Sequence, residues 1–401
     1  MALIVQKFGG SSVADTEKIF RVANIIADTY KAGNDVIVVL SAQGDTTDDL
    51  IEKAGEINPN PSKREMDMLL ATGEQISIAL VSMALESMGM PVISLTGWQA
   101  GIMTNSVYGD ARIHKITGER IKSELDKHRI VLVAGFQGIN KSDDITTLGR
   151  GGSDTTAVAI TAALKADLCQ IYTDVEGVFT ADPRKVKGAK KLDEITYDEM
   201  LELASMGAQV LHNRSVQMAK RYGVDLEVLS SYERKPGTKV KEVTKVERMS
   251  ISGIAKDTNI ASIAIIGIKD EPGVAFKVFR SLAKTNVNVD IIIQSETNEH
   301  TQNISFVVAK KDVETAVAAL EDIKGVLGFD HISTDYDVAK VSVVGAGMMN
   351  TSGIASLVFE ALYDAKVNIQ IISTSEIKIS VIVSEKEADR AVQAIHDKFF
   401  D

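Results

Sequence analysis

Short apolar runs alternate with stretches of helical periodicity through the first part of the chain. The runs lie at residues 3–5, 36–40, 92–95, 130–134 and 167–172. Between the first two, apolar side chains recur at helical spacing, at Ile19, Val22, Ala23, Ile26 and Ala27. Strands that alternate with helices predict an α/β fold with a mainly parallel sheet.

The last part of the chain repeats one pattern. The matches are residues 263–267 with 341–345 and then, after a two-residue insertion and at an offset of 80, Gly273 with Gly353 and Asn288 with Asn368. Each repeat reads strand, helix, strand, strand, helix, which predicts two small α+β units. The segment 343–347 also imitates a dinucleotide-binding turn, but the internal repeat explains it better because Asn350 stands where the third glycine would be.

The two repeats differ in their closing strand. The first has a strand available at 329–334, whereas the second ends with a helix at 389–399. A strand at 250–255 follows a turn-rich and charge-mixed boundary at 231–249 and has no obvious local partner. We therefore predict that this strand completes the second unit, with the first unit inserted between the two parts.

Composition narrows the class of protein. The chain has 401 residues, 45% of them hydrophobic, which fits two or three globular domains. Its net charge of −11 argues against a nucleic-acid or anionic-membrane surface. A single cysteine, Cys169, excludes an intrachain disulfide and fits a reducing compartment. We see no apolar run of about 20 residues that would span a bilayer, so we expect a soluble, cytoplasmic protein.

Two glycine-rich loops carry the candidate chemistry. The first is Lys7-Phe8-Gly9-Gly10-Ser11-Ser12, between a strand and a helix, and the second is Gly149-Arg150-Gly151-Gly152-Ser153-Asp154, before an apolar run. Such loops bring backbone N–H groups and a helix N-terminus against an anion. Arg150 offers a planar fork for a carboxylate or phosphate, and Asp154 either orients a reacting group or caps the helix. The spacing is neither a Walker A loop nor a dinucleotide fingerprint.

Other strand ends are also polar. Residues 41–47 follow the second strand with small and hydroxyl side chains, Glu74 opens an apolar helix where it could cap or bind, and acids and an arginine follow at 173–184. Open α/β sheets bind ligands at the carboxyl ends of their strands. The pattern indicates a site for a phosphate and a small acid, with carboxylates available for Mg²⁺.

Three of these motifs, in this order, resemble aspartokinase of the amino-acid kinase superfamily: residues 7–13, 149–154 and 173–184. The resemblance covers essentially the whole chain. It implies a carbamate-kinase-like catalytic domain at 1–238, a linker with the completing strand at 239–261, and two ferredoxin-like ACT domains at 262–336 and 337–401. It also implies the transfer of a phosphoryl group from ATP, with Mg²⁺, to L-aspartate, the first step of lysine, threonine and methionine biosynthesis.

The resemblance assigns roles to single residues. Lys7 and Asp154 are expected at the reacting groups, with Asp154 organising Lys7 or the metal. Arg150 is expected to grip the α-carboxylate of aspartate and Glu74 its ammonium. The expected aspartate contacts are Ser41, Thr47, Glu74, Arg150, Gly151 and Ser153. The expected nucleotide contacts are Lys7, Gly9, Gly10, Ser11, Thr173, Asp174, Phe179, Asp182 and Arg184.

The ACT resemblance implies that the second half senses an amino acid. Lysine, alone or with threonine, is the expected inhibitor, and the modules are expected to join copies of the chain into a homo-oligomer. The candidate effector contacts are Asp270, Ala275, Asn288, Gln294, Ile354, Asn368, Ile369, Ser375 and Glu376. The alternative is that these modules only assemble the enzyme. The second repeat has Thr351-Ser352-Gly353 without the proline common in relatives, so the effector stays open.

Some alternatives stay open at the level of the sequence. Another amino-acid or carbamate kinase of the superfamily, and a non-catalytic amino-acid sensor, are the other functions considered. Gln209 stands where many aspartokinases have a lysine that contacts the nucleotide, so nucleotide affinity could differ. Met249 could serve as an internal translation start for a separate small regulatory subunit.

Overall fold

The computed structural model describes residues 2–205, 210–242, 251–298 and 301–400. Gln209 and Met249 lie outside these residues. The chain divides into two compact units: the first comprises Met1–Phe179 and Lys191–Glu247, and the second comprises Thr180–Lys190 and Arg248–Asp401. Thr180–Lys190, here called the inserted segment, belongs to the second unit although the residues on both sides of it in the sequence belong to the first.

The first unit alternates strands and helices as the apolar pattern predicts. Its elements are β1 Leu3–Phe8, α1 Thr16–Lys31, β2 Asp35–Leu40, α2 Thr46–Ile57, α3 Lys63–Leu70, α4 Thr72–Ser87, β3 Val92–Leu95, β4 Ile102–Thr104, β5 Ile113–Ile116, α5 Glu119–Leu125, β6 Ile130–Ala134, β7 Gln137–Ile139, β8 Ile145–Thr147, α6 Gly152–Leu164, β9 Leu168–Thr173, β10 Glu194–Thr196, α7 Tyr197–Ser205, α8 Asn213–Tyr222, β11 Leu226–Ser230 and β12 Thr238–Lys241.

An eight-stranded sheet, in the order β10-β12-β11-β9-β1-β2-β6-β3, forms the centre of the described first unit. Its pairs are parallel except β11 with β12. β2 and β6 are buried almost throughout, because helices cover both faces of a parallel sheet. A smaller sheet of the same unit has the order β5-β4-β7-β8. The sequence analysis missed these short strands.

One helical stretch, Lys63–Ser87, is long and apolar enough by length and composition to cross a membrane, which the sequence analysis did not expect. It divides into α3 and α4 around Ala71, and 50% of its apolar window is buried inside the fold. Two of its acids, Asp67 and Glu74, are buried as well. These observations fit a core helix of the first unit.

The second unit contains two antiparallel sheets of similar topology. Its elements are β13 Gly253–Asp257, β14 Ile260–Lys269, α9 Val274–Lys284, β15 Asp290–Asn298, β16 Thr301–Ala309, α10 Val313–Glu321, α11 Lys324–Leu327, β17 His331–Asp335, β18 Val338–Val344, α12 Ile354–Asp364, β19 Ile371–Thr374, β20 Lys378–Ser384 and α13 Ala388–Phe400. The sheet orders are β15-β16-β14-β17 and β13-β18-β20-β19. β13 pairs antiparallel with β18, so the strand that follows the linker lies at the edge of the second sheet.

The units differ from the predicted domain ranges in two places. β12 belongs to the large sheet, so the first unit continues beyond residue 238. The inserted segment belongs to the second unit, where Ala181 and Val186 are buried in the same apolar cluster as Ile395 of α13. The Thr180 hydroxyl lies 2.9 Å from Nε2 of the buried His396, also on α13. These long-range contacts have no signature in the local sequence.

Candidate functional site

The carboxyl ends of neighbouring parallel strands bring the two glycine-rich loops together. Phe8, near the end of β1, is level with Leu40 of β2 and with Tyr172 of β9. The Phe8 and Tyr172 rings stack with centroids 4.5 Å apart. The loops after β1, β2 and β9 therefore begin at one edge of the sheet, which is where open α/β folds bind ligands.

An ion pair joins the two loops at this edge. Lys7 Nζ lies 2.6 Å from Asp154 Oδ1, and the two side chains are 12% and 11% exposed. Asp154 lies in the first turn of α6, which starts after Gly151 in a left-handed conformation (φ +69°). Asp154 therefore forms an ion pair with Lys7, so this carboxylate does more than cap the helix. The lysine cation and the positive end of α6 meet here, an arrangement that suits a polyanion.

Glycines allow close approach between the loops. A Cβ on Gly10 would lie 2.5 Å from the Ala42 carbonyl oxygen, and one on Gly135, after β6, would lie 2.7 Å from Ser153 Oγ. Gly44 N–H also donates to the Gly10 carbonyl at 3.0 Å. Any side chain at these two glycines would push the loops apart, so both positions need glycine for the loops to stay in contact.

Glu74, in the first turn of α4, is the buried acid of the site. It is 3% exposed, and its Oε1 accepts a hydrogen bond from Ala42 N–H at 3.1 Å. Its other oxygen, Oε2, is buried and has no hydrogen-bond partner among the described residues. Burial raises the pKa of this carboxyl to about 8. A cationic group beside Oε2 would supply the missing partner and favour the charged carboxylate.

The loop of Arg150 is shaped by left-handed glycines and by α8. Gly149 has φ +74°, and a Cβ on Gly151 would lie 2.1 Å from the His212 ring. The Arg150 side chain is exposed. Arg150 has no hydrogen-bond or ion-pair partner among the described residues. The sequence analysis did not give His212 a role, since only the fold brings this histidine to the loop.

The remaining predicted aspartate contacts lie on the same segments. Ser153 is buried at the start of α6, whereas Ser41 and Thr47 are half-buried after β2 and in the first turn of α2. The connection to Glu74 runs through Ala42, the residue after Ser41. Contacts among the described residues thus bring Ser41, Glu74 and Ser153 to the ends of β2 and β6 and the start of α6.

The predicted nucleotide residues divide between the two units. Thr173 Oγ donates to Asp174 at 3.1 Å after β9. The Thr173 carbonyl accepts from Ser231 N–H, and Ser231 Oγ lies 2.8 Å from Ser12 Oγ in the first glycine-rich loop. Ser11 is exposed on that loop, and Phe179 ends this part of the first unit.

Asp182 and Arg184 belong to the inserted segment and so to the second unit. Arg184 donates to both carboxylate oxygens of Asp182 at 3.0 Å, and this contact holds the pKa of Asp182 below its usual range. In the structure both side chains of this pair are exposed.

The described residues include no cluster of three or more histidine, cysteine or acidic side chains that could hold a metal by themselves. Mg²⁺ in phosphoryl-transfer sites usually keeps several waters and takes one or two carboxylates together with substrate phosphates. The single carboxylate of Asp154, beside a cation at the helix end, fits that arrangement. Cys169 is no nucleophile here, because burial raises the pKa of its thiol to about 12.

The predicted effector contacts lie in the second unit, around the starts of α9 and α12 and the strands β15 and β19. The exposed ones are Asp270, Ala275, Asn288, Gln294, Asn368, Ser375 and Glu376. Ile369 is half-buried. Ile354 is 6% exposed and lies in the apolar core, so its side chain serves packing and only its backbone could face an effector.

Comparisons with known proteins show the family of this chain. The Amino acid kinase family matches residues 2–230, and the ACT domain matches residues 263–323 and 341–399. The aspartokinase of Bacillus sp. (strain MGA3) is 51% identical over 400 residues, which cover 100% of this chain and 97% of that protein. Crystal structures of E. coli aspartokinase III are 26% identical and cover 100% of both chains. Their TM-scores are 0.83 for the complex with aspartate and ADP (R-state) and 0.79 for the complex with lysine and aspartate (T-state).

Proposed function

This chain belongs to the aspartokinases of the amino-acid kinase family and is an aspartate kinase, and from that premise we propose how its residues share the reaction. The β-carboxylate of aspartate is already a nucleophile, so the transfer needs no general base. The barrier is the approach of this anion to a polyanionic phosphate. Catalysis then rests on in-line positioning and on neutralisation of charge.

Lys7 is the main electrostatic catalyst in this proposal. Its ammonium lies at the end of β1 beside Asp154 and near the N-terminus of α6, and Gly9 and Gly10 add backbone N–H groups on the same loop. Asp154 holds Lys7 in place before the substrates bind. Asp154 would also be the protein ligand of Mg²⁺, which supplies charge neutralisation at the phosphates when it is bound.

Aspartate binds between Glu74 and Arg150 in this proposal. The observation that carries it is the buried Oε2 of Glu74, which has no hydrogen-bond partner among the described residues. An α-ammonium would satisfy this atom, and the exposed guanidinium of Arg150 would take the α-carboxylate as a fork. Ser41, Thr47, Gly151 and Ser153 complete the pocket.

ATP is the phosphoryl donor in this proposal, in keeping with the ADP in the E. coli aspartokinase III complex. Ser11, Thr173, Asp174 and Phe179 of the first unit would contact it. Asp182 and Arg184 of the inserted segment are proposed as further contacts.

Lysine, alone or with threonine, is the proposed inhibitor, and it would act through the ACT domains of the second unit. The E. coli T-state complex with lysine supports this choice. An inhibitor must bind one state of the enzyme better than another, and such coupling is typically about 1–3 kcal/mol. We further propose a cytoplasmic homo-oligomer joined through the ACT domains.

The test is ATP- and Mg²⁺-dependent formation of aspartyl hydroxamate, with and without lysine and threonine. Activity that lysine suppresses would support the kinase and the sensor together. Activity indifferent to both amino acids would leave the ACT domains with assembly alone. For the aspartate pocket, Arg150→Ala should mainly raise the KM for aspartate. An unchanged KM would remove Arg150 from the pocket.

A further inference from the structure

Asp67 is a buried acid of α3 that the reaction, as proposed above, does not use. It is fully buried, and its carboxylate accepts three hydrogen bonds. The donors are Thr147 Oγ at 2.6 Å, Thr147 N–H at 2.9 Å and Gly109 N–H at 3.0 Å. Thr147 is the last residue of β8, three positions before Arg150. A buried carboxylate held only by such donors fixes the backbone that carries them.

Arg214 of α8 holds the same backbone from another element. Its two terminal nitrogens donate to the Leu148 carbonyl at 2.6 Å and to the Ala111 carbonyl at 2.7 Å. Its side chain is only 13% exposed, and burial lowers the pKa of its guanidinium. Asp110 lies 3.6 Å from it, so the cation has a carboxylate nearby.

Asp67 and Arg214 both form hydrogen bonds with the same pair of adjacent segments, 109–111 and 147–149. Ala111 N–H donates to the Thr147 carbonyl at 2.9 Å, and the Cβ that Gly149 lacks would lie 3.1 Å from the Gly109 carbonyl oxygen. We call Asp67 and Arg214 the clamp. The clamp fixes the backbone up to Gly149, and Arg150 is the next residue.

The clamp also relates this loop to Glu74. Asp67 precedes Glu74 by seven residues, with the junction of α3 and α4 between them. The Ala71 carbonyl at that junction accepts from Gln137 Nε2 at 2.8 Å, and Gln137 is paired with Thr147 across β7 and β8. One buried framework therefore carries the acid proposed for the ammonium of aspartate and the arginine proposed for its α-carboxylate.

We infer that Asp67 and Arg214 are positioning residues for aspartate binding, which act through Arg150 by fixing its distance from Glu74. This inference rests on the proposed role of Arg150. Neither clamp residue needs to touch substrate. A misplacement of a binding group by about 1 Å can cost roughly 100-fold in rate or binding. Loosening the clamp should therefore raise the KM for aspartate about 10- to 100-fold.

The test is a double-mutant cycle of Asp67→Asn with Arg150→Ala, in which the KM values for aspartate and ATP are measured separately. Asp67→Asn should raise the KM for aspartate and change the KM for ATP by less than about twofold. In the Arg150→Ala background the same change should add less than about threefold, since the group being positioned is absent.

Glu124→Gln is the matched control. Glu124 of α5 is also a buried carboxylate, with contacts to Arg120, Lys127 and Arg129, but it lies near the amino end of β6. Its replacement should leave the KM for aspartate within about twofold of wild type, because no aspartate-binding loop depends on it. Arg214→Lys is a second variant, to be used if Asp67→Asn does not fold. A lysine cannot donate to both the Leu148 and the Ala111 carbonyls as the guanidinium does, so the same selective rise in the KM for aspartate is expected.

Two outcomes separate the clamp from the role of Arg150. If Arg150→Ala raises the KM for aspartate but Asp67→Asn and Arg214→Lys do not, the clamp is wrong and the proposed pocket stands. If Arg150→Ala leaves the KM unchanged, the proposed pocket fails and the clamp fails with it. Equal rises in both KM values, or an undiminished effect of Asp67→Asn without Arg150, would mean a general loss of structure and overturn the inference.

Discussion

Glu74 should couple the binding of aspartate to the release of a proton. Burial raises the pKa of its carboxyl to about 8, so roughly 0.9 of the sites carry this proton at pH 7. An ammonium beside Oε2 favours the charged carboxylate and expels the proton. Because ammonium and proton compete for one carboxylate, the affinity for aspartate should fall roughly 25-fold between pH 8.5 and pH 6.5.

Isothermal titration calorimetry in two buffers of different ionisation enthalpy measures the proton release directly. Wild type should release about 0.9 proton per bound aspartate at pH 7. Glu74→Gln keeps the shape of the side chain but cannot ionise, so it should bind aspartate weakly, with no proton release and little dependence on pH. Glu124→Gln should behave as wild type. Binding by wild type without proton release would refute the assignment of the ammonium to Glu74.

The same carboxyl determines how stability depends on pH. The pKa of Glu74 is higher in the folded protein, about 8, than its ordinary value of 4.5. The folded state therefore holds the proton more tightly, and this contribution to the free energy of unfolding is complete below about pH 4.5 and lost as the pH rises through about 8. The loss is up to about 5 kcal/mol, at 1.36 kcal/mol per pKa unit. Urea unfolding of Glu74→Gln should lack this decline, and a decline equal to that of wild type would contradict the argument.

Three further outcomes are expected. Lys7→Ala should lower kcat about 10²–10³-fold, as loss of one electrostatic stabiliser does, and a kcat within a few-fold of wild type in the hydroxamate assay would place Lys7 outside the site. Gly151→Ala should raise the KM for aspartate sharply, because the added Cβ would overlap the His212 ring. Gly223 is equally left-handed but has open space around it, so Gly223→Ala should only lower the melting temperature. Similar KM values in both variants would argue against the overlap. The Cys169 thiol is buried and its pKa is raised to about 12. Iodoacetamide at pH 8 should therefore leave Cys169 unmodified in the native enzyme and alkylate it after unfolding, which mass spectrometry measures. Rapid alkylation of the native enzyme would contradict that burial.

Long apolar strands and adjacent glycines made much of the first unit predictable. β2 and β6 are buried almost throughout, so their runs are continuous in the sequence. The short strands β4, β7 and β8 have three residues each, too few for periodicity to distinguish them from loops. The aspartokinase resemblance supplied what the pattern could not, namely a role for each polar residue at the strand ends.

Contacts between residues far apart in the chain could not be predicted from the sequence. Nothing near Asp67 indicates that its carboxylate holds Thr147, 80 residues later. Nothing near Ala181 indicates that it packs with α13 at the end of the chain. For Ile354 the ACT resemblance predicts an effector contact, but the sequence does not show that its side chain is buried in the apolar core.

The inserted segment has a consequence for how this gene can be divided. Ala181 and Val186 contribute to the apolar core of the second unit, and Ile254 N–H donates to the Thr180 carbonyl at 2.7 Å. A regulatory fragment that began at the linker would lack this piece and expose the apolar surface that it covers. Chimeras between relatives should therefore exchange the inserted segment together with the ACT domains, because the second unit is built from two separate stretches of the sequence.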